Sequence, residues 1–275
     1  MNDTVIDNFS KLKSSLFIVP LLLLVAIVVF LFSQHSLSVE GYIQVQKNLF
    51  YFINSKYSQF PTLIYNLTQL GDALIFFSFI GLLLIYVPKI WETLLTASIV
   101  SALLSAVLKN LFSVPRPAAS FDTTTFTIIG NALSGHSSLP SGHSITVFTG
   151  LSIFMFAFMP KKINYKMLWS LGIVCLGILL VLTRVGVGAH YPLDTMIGGI
   201  IGYISALIGI FINRKYPIWL WINNKKYYPV FIALFLVCIG VLVNKILHEN
   251  LIVFYLALLS LIVSLYKIIY VYIKK

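Results

Sequence analysis

The chain has 275 residues, of which 59% are hydrophobic and only 10% charged. Soluble domains carry about 25% charged residues, so these proportions exclude a soluble globular protein and indicate an integral membrane protein. The formal net charge of +11 does not signal nucleic acid: the cations sit in short loops between apolar runs and form no basic stripe that could track a phosphate backbone.

Residues 1–13 read as a short polar tail. Apolar runs of spanning length, about 17–25 residues, follow near 14–33, 72–88, 90–112, 143–160, 167–186, 192–213, 228–245 and 250–273. The expected fold is therefore all-α: a polytopic transmembrane bundle with eight candidate helices. The first run is longer than the 7–15 residues usual for a secretory core, and no small-x-small cleavage site follows it. It reads as a retained anchor. Cys175 and Cys238 lie mid-run and read as small buried hydrophobes rather than a disulfide.

The segment 34–71 is mixed. Tyr42, Val45, Leu49, Phe52 and Ile53, then Leu63, Leu67 and Leu70 beyond Pro61, recur at helical spacing. Two readings stay open, amphipathic helices lying in the membrane interface or a packed cap outside it.

Assigning the loops alternately to the two membrane faces, with the N-terminus inside, sorts the 19 cations. Thirteen fall on the N-terminal side. Six fall on the other, Lys47, Lys56, Lys109, Arg116, Arg184 and Lys245. Cytoplasmic loops are enriched in Lys and Arg, so the expectation is a multi-pass protein of the inner (plasma) membrane with both termini cytoplasmic.

That topology brings the polar chemistry to one outer face. Lys109 and Arg116 follow the third run, Ser141-Gly142-His143 open the fourth, and Thr183-Arg184 close the fifth. His190 and Asp194 flank the start of the sixth. Charge at such places is costly and usually functional. Three cations with little carboxylate nearby call for an anion, and a phosphoryl group suits an Arg fork and a Lys point charge; bare headgroup binding would account for any one of them alone. Backbone N–H groups at a helix start also await an anion. His190 and Asp194, four apart, share a helical face, and a carboxylate beside an imidazole orients its tautomer. Two histidines beside a phosphate cradle permit one to attack phosphorus, forming a phosphohistidine, and the other to protonate the leaving oxygen. No acidic cluster suited to Mg²⁺ is present, so the reaction is expected to be metal-independent and to need no cofactor.

Lys109 and Arg116-Pro117 with six residues between them, then Pro140-Ser141-Gly142-His143, then Arg184 and His190 with five residues between them and Asp194 after three more resemble the three-part signature of the type 2 phosphatidic acid phosphatase family. The resemblance spans roughly residues 14–213. It implies a six-helix membrane core at 1–213, with 214–275 as two additional transmembrane helices outside it. It implies that Lys109, Arg116, Ser141, Gly142 and Arg184 bind phosphate, that His190 is the nucleophile, Asp194 its orienter and His143 the acid. Thr183 stands where the family usually has Ser, and its hydroxyl is expected to keep the phosphate contact. The implied substrate is a lipid phosphate or diphosphate in a lipid membrane, undecaprenyl diphosphate first; phosphatidylglycerol phosphate, phosphatidic acid and lipid A phosphate are the alternatives. A phosphotransferase using the same phosphohistidine, and a non-catalytic lipid-binding protein, are the competing classes.

Ser134-Gly135-His136 repeats the Ser-Gly-His triplet without a following apolar run and reads as loop, with His136 a possible headgroup contact. Asp72 reads as an N-cap, Glu92 as a helix-dipole partner. Gly198 and Gly202 are spaced for close helix packing.

Overall fold

The computed structural model describes residues 1–274, and every regular element among them is helical. In chain order these are α1 (Asn2–Ser10), α2 (Ile18–Ser33), α3 (Val39–Val45), α4 (Lys47–Tyr57), α5 (Pro61–Thr68), α6 (Ala73–Phe79), α7 (Leu83–Tyr86), α8 (Pro88–Phe112), α9 (Pro117–Ser120), α10 (Gly142–Ala157), α11 (Ile163–Gly186), α12 (Pro192–Lys215), α13 (Tyr228–Glu249) and α14 (Ile252–Ile273). Six helical stretches are long and apolar enough to cross a bilayer: Ser14–Ser33, Pro88–Ser120, Ile163–Gly186, Pro192–Lys215, Lys225–Glu249 and Ile252–Ile273. α10 is apolar but has only 16 residues. The protein is a polytopic helical bundle, as the composition requires.

The expected helix at 72–88 is interrupted. α6 stops at Phe79, α7 is a single turn, and Pro88 opens α8. Backbone groups freed inside a membrane must find partners. Here the Trp91 indole donates to the Ile80 carbonyl at 3.0 Å, and Ser260 of α14 donates to the Ser78 carbonyl at 3.0 Å.

The bundle centre is α8, α10 and α12, joined through Ile90, Leu94 and Ala97, Ile153 and Phe156, and Leu207 and Ile210. Gly202 explains how closely α12 meets α10: a Cβ there would lie 2.5 Å from the Ile145 carbonyl oxygen, and one at Gly198 would lie 2.7 Å from that of Ser141. Small residues at such a crossing let two backbones touch. Outward faces carry leucine, valine and phenylalanine, for example Leu22, Val25, Val29 and Phe32 on α2, because the surrounding solvent is hydrocarbon rather than water. Cys175, expected to be buried, belongs to this outward surface on α11.

The polar tail is a helix. α1 buries Val5 and Phe9, an i,i+4 pair, and is pinned where Asn8 donates to the Ala157 carbonyl at 2.9 Å and Asn2 accepts from Lys89 N at 3.1 Å. Arg214 donates to the Leu12 carbonyl at 2.8 Å. The N-terminus therefore sits where α10 and α12 end and α8 begins. Glu92, expected only to favour a dipole, is buried at that end. It accepts from Lys89 Nζ at 2.9 Å and from Asn223 at 2.9 Å.

At the opposite end, α3 to α5 form a packed cap. Its buried face is Tyr42, Gln46, Phe50 and Asn54, one register away from the apolar stripe read in the sequence. Leu49, Phe52 and Leu63 of that stripe are exposed instead. Beside Ile43, Phe50 and Ile64 the cap also turns two amides inward: Asn54 donates to the Thr127 and Gly186 carbonyls at 2.9 and 3.0 Å, and Gln46 Oε1 accepts from Leu193 N at 2.9 Å.

Candidate active site

The elements that converge at the capped end are the last turns of α8, the loop 113–116, the first turn of α10, the end of α11 and the start of α12. Antiparallel neighbours alternate direction, so the C-terminal ends of α8 and α11 meet the N-terminal ends of α10 and α12. The eight residues expected to form the site do come together there.

Asp194 is the most completely held. It is the third residue of α12 and fully buried. Oδ1 accepts from the Tyr42 hydroxyl at 2.7 Å, while Oδ2 accepts from Ser138 Oγ at 2.6 Å and from Tyr191 N at 2.9 Å. Its backbone carbonyl accepts from Ser141 N at 3.1 Å, tying α12 to the start of α10. Burial, and then the neighbouring Asp194 charge, push the Tyr42 phenol well above its ordinary range, so it stays a donor.

His190 is buried. Its Nδ1 lies 3.4 Å from Asp194 Oδ2, within ion-pair reach but off the line of a well-directed hydrogen bond. Its Nε2 lies 3.2 Å from Arg116 Nη1, and Arg116 also donates to the Ala189 carbonyl at 3.2 Å. A guanidinium has only protons to offer, so Nε2 is an acceptor and the ring proton is assigned to Nδ1, facing the carboxylate. Burial first, and then the nearby Arg116 charge, lower the His190 pKa to about 4, partly offset by Asp194. The imidazole is thus neutral at physiological pH, with the Nε2 lone pair directed at Arg116.

The loop between Arg184 and His190 is bent tightly. Gly188 has φ +76°, and a Cβ there would lie 2.9 Å from both the Phe126 ring and the Thr127 carbonyl oxygen. Only glycine meets both demands. In return, the Arg184 carbonyl accepts from Ala189 N at 3.0 Å and His190 N at 3.3 Å. Arg184 is buried; its Nη1 donates to Thr68 Oγ1 at 3.0 Å, and its Nε has no protein partner. Among the described residues, none of Lys109, Arg116 and Arg184 is paired with a carboxylate.

Ser141 caps α10, its hydroxyl oxygen accepting from Ser144 N at 3.4 Å. Gly142 follows, and the position a Cβ would take is 3.7 Å from Lys109 Nζ. A side chain there would compete for the space in front of the ammonium group. His143, half-buried, packs against Gly71, whose Cβ position is 2.8 Å from the His143 Cβ. His143, Asp72 and Ser98 line a cleft of about 430 Å³ between α6, α8 and α10.

Thr183 departs from expectation: it is buried and its hydroxyl donates to the Leu180 carbonyl within its own helix. The proton expected to reach a phosphate is already engaged. His136 is exposed, and the decoy triplet instead pins the loop through Arg116 N donating to the Gly135 carbonyl at 3.0 Å. Asp72 is the N-cap of α6, accepting from Leu74 N at 2.9 Å. Tyr42, Ser138, Gln46 and Thr68 were not foreseen. Tyr42 stood on the recognised stripe, but nothing in the spacing ties it, or Ser138, to Asp194.

A multi-pass bundle that collects two histidines, one carboxylate and three uncompensated cations at one end has the composition of an enzyme that works on a phosphoryl group. The chain belongs to the PAP2 superfamily, whose family model matches residues 90–216 and so encloses the eight residues from Lys109 to Asp194. An undecaprenyl-diphosphatase of Sulfolobus acidocaldarius is 30% identical over 175 residues, covering 62% of this chain and 79% of that protein. A lipid A 1-phosphatase of Rhizobium etli is 35% identical over 134 residues, 47% of this chain and 53% of that one. The crystal structure of Aquifex aeolicus LpxE superposes with a TM-score of 0.51 at 24% identity, covering 61% of this chain and 95% of the other, and so supports the fold. The protein is a membrane lipid phosphatase, a hydrolase of this superfamily.

Proposed function

We propose that the enzyme removes the terminal phosphate of a polyprenyl diphosphate, with undecaprenyl diphosphate as the leading substrate, at the outer membrane face through a phosphohistidine. The observation that carries this reading is the pose of His190, with Nδ1 toward Asp194 and its basic Nε2 against Arg116. Lys109, Arg116 and Arg184, with Ser141 and Gly142 at the start of α10, would hold the equatorial oxygens of the phosphoryl group and neutralise its charge in the transition state. Nε2 attacks phosphorus, and His143 protonates the bridging oxygen as the P–O bond breaks. The lipid leaves as a monophosphate. Water, deprotonated by the now neutral His143, then attacks the phosphohistidine and releases orthophosphate. Asp194 stabilises the charge that develops on the His190 ring. The outer-face assignment rests on the bias of Lys and Arg toward the side of the N-terminus. The substrate rests on the named undecaprenyl-diphosphatase relative and on this site's surplus of cations.

The test is phosphate release by the purified full chain from polyprenyl diphosphate, phosphatidic acid, phosphatidylglycerol phosphate and lipid A, with EDTA present. The highest kcat/KM is expected on polyprenyl diphosphate, and His190→Ala is expected to abolish turnover. A preference for lipid A, loss of activity in EDTA, or activity surviving His190→Ala would respectively overturn the substrate, the metal-free chemistry and the nucleophile.

A further inference from the structure

The α13–α14 hairpin lies beyond the residues that match the superfamily model, yet it reaches the site. Lys245, in the last turns of α13, places Nζ 3.2 Å from Asp72 Oδ2 and 5.4 Å from the centre of the Phe254 ring. Asp72 is next to Gly71, which packs directly on His143, and Gly71, Asp72 and His143 line the same cleft. Val253 N, at the start of α14, donates to Asn66 of α5 at 3.0 Å. Close by, burial first, and then the Glu249 carboxylate at the end of α13, raise the Tyr65 pKa to about 12. The hairpin is therefore seated on the segment that also holds Arg184, through Thr68, and His143, through Gly71.

We infer that Lys245 is a substrate-binding residue that holds the leaving-group phosphate of a lipid diphosphate. This rests on the reading of His190 as nucleophile and His143 as acid. In an in-line displacement the nucleophile and the leaving oxygen lie on opposite sides of phosphorus, so whatever lies beyond His143 faces the leaving group. In a lipid diphosphate that group is itself a phosphate. Lys109 stands beside Gly142 on the His143 turn, and Lys245 is a further cation near that turn, held on Asp72 next to the Gly71 on which His143 packs. Asp72 Oδ1 is used in capping α6, so Oδ2 alone faces the ammonium. The Lys245 side chain is 30% exposed. An arriving phosphate can therefore reach it and offer the ammonium group a charge-assisted partner in place of Asp72. With a monophosphate the leaving group carries no second anion and Lys245 has nothing to hold.

Binding of methylenediphosphonate and of methylphosphonate to the full chain in nanodiscs measures this without catalysis. The wild type is expected to bind the diphosphonate more tightly. In Lys245→Gln the ratio of the two dissociation constants should fall about tenfold or more, the size of one charge-assisted contact, and Lys245→Arg should restore it. Equal weakening of both ligands, an unchanged ratio, or a wild type with no preference would overturn the inference. Turnover separates it from the proposed substrate: a preference for diphosphonate that depends on Lys245, without phosphate release from polyprenyl diphosphate, supports Lys245 and refutes the substrate.

Discussion

At the residue scale, His190 carries a charge-state consequence. Its ordinary pKa is 6.5 and in the folded site it is about 4. Between these values the unfolded chain takes up a proton that the folded site refuses. The stability tied to a neutral His190 is therefore fully present above pH 6.5 and is lost as pH falls toward 4. Thermal melting of wild type and His190→Gln between pH 4 and 8 should show a steeper acid-side decline in wild type; parallel curves would refute the assignment. Tyr42 is the second test. Removing its hydroxyl takes one donor from Asp194 Oδ1 in a buried setting, a loss of about 1.5–3 kcal/mol for a bond to a charged group. Tyr42→Phe should lower kcat about tenfold or more, with a smaller change in KM, because the carboxylate beside His190 is loosened while Lys109, Arg116 and Arg184, proposed to bind the phosphate, are untouched.

The element scale concerns how the helices deliver those residues. His143 stands in the first turn of α10 and His190 just before the start of α12, and the two helices approach closely at Gly198 and Gly202. Gly202→Val forces the Ile145 backbone away, an overpacking cost of about 1–3 kcal/mol. It should lower melting temperature and activity together, whereas His190→Ala should lower activity alone; both are read from thermal unfolding and phosphate release on the same preparations. The cap α3–α5 illustrates why element placement was harder to read than element type. Helical spacing in 34–71 was plain, but which stripe faces inward depends on what lies beneath. A cap over a polar site between lipid and water buries Gln46 and Asn54 and exposes Leu49 and Phe52, the reverse of a helix on an apolar core. The interruption at 80–82 was likewise hidden, since only Gly81 marks it in a mostly apolar run and the breakage is stabilised by Trp91 and Ser260 from other helices.

For the whole molecule the open quantity is orientation. The N-terminal helix docks at one end of the bundle and the site forms at the other, so a single labelling experiment orients both. In a Cys175→Ala, Cys238→Ala background, a cysteine at Asn131 should react with an impermeant maleimide in intact cells. One at Lys162 should react only after permeabilisation. The opposite pattern would place the site in the cytoplasm.

The primary structure by itself determined the class of solvent and the helical content, and it nominated the eight residues that the fold gathers at one end. Hydrocarbon-spanning length, the scarcity of charge and the fixed intervals among Lys109, Arg116, Ser141, His143, Arg184, His190 and Asp194 are local properties that survive without coordinates. Only the tertiary structure decided which groups serve them. The partners of Asp194, Tyr42 and Ser138, come from distant segments with no periodic relation to α12. The Thr183 hydroxyl is turned away into its own helix. Lys245, which in the chain is one cation in a late hairpin, comes to lie against Asp72, a residue that lines the cleft. Spacing along a helix reports what shares a face, whereas contact between helices depends on how their surfaces pack, and that is settled by all of them at once.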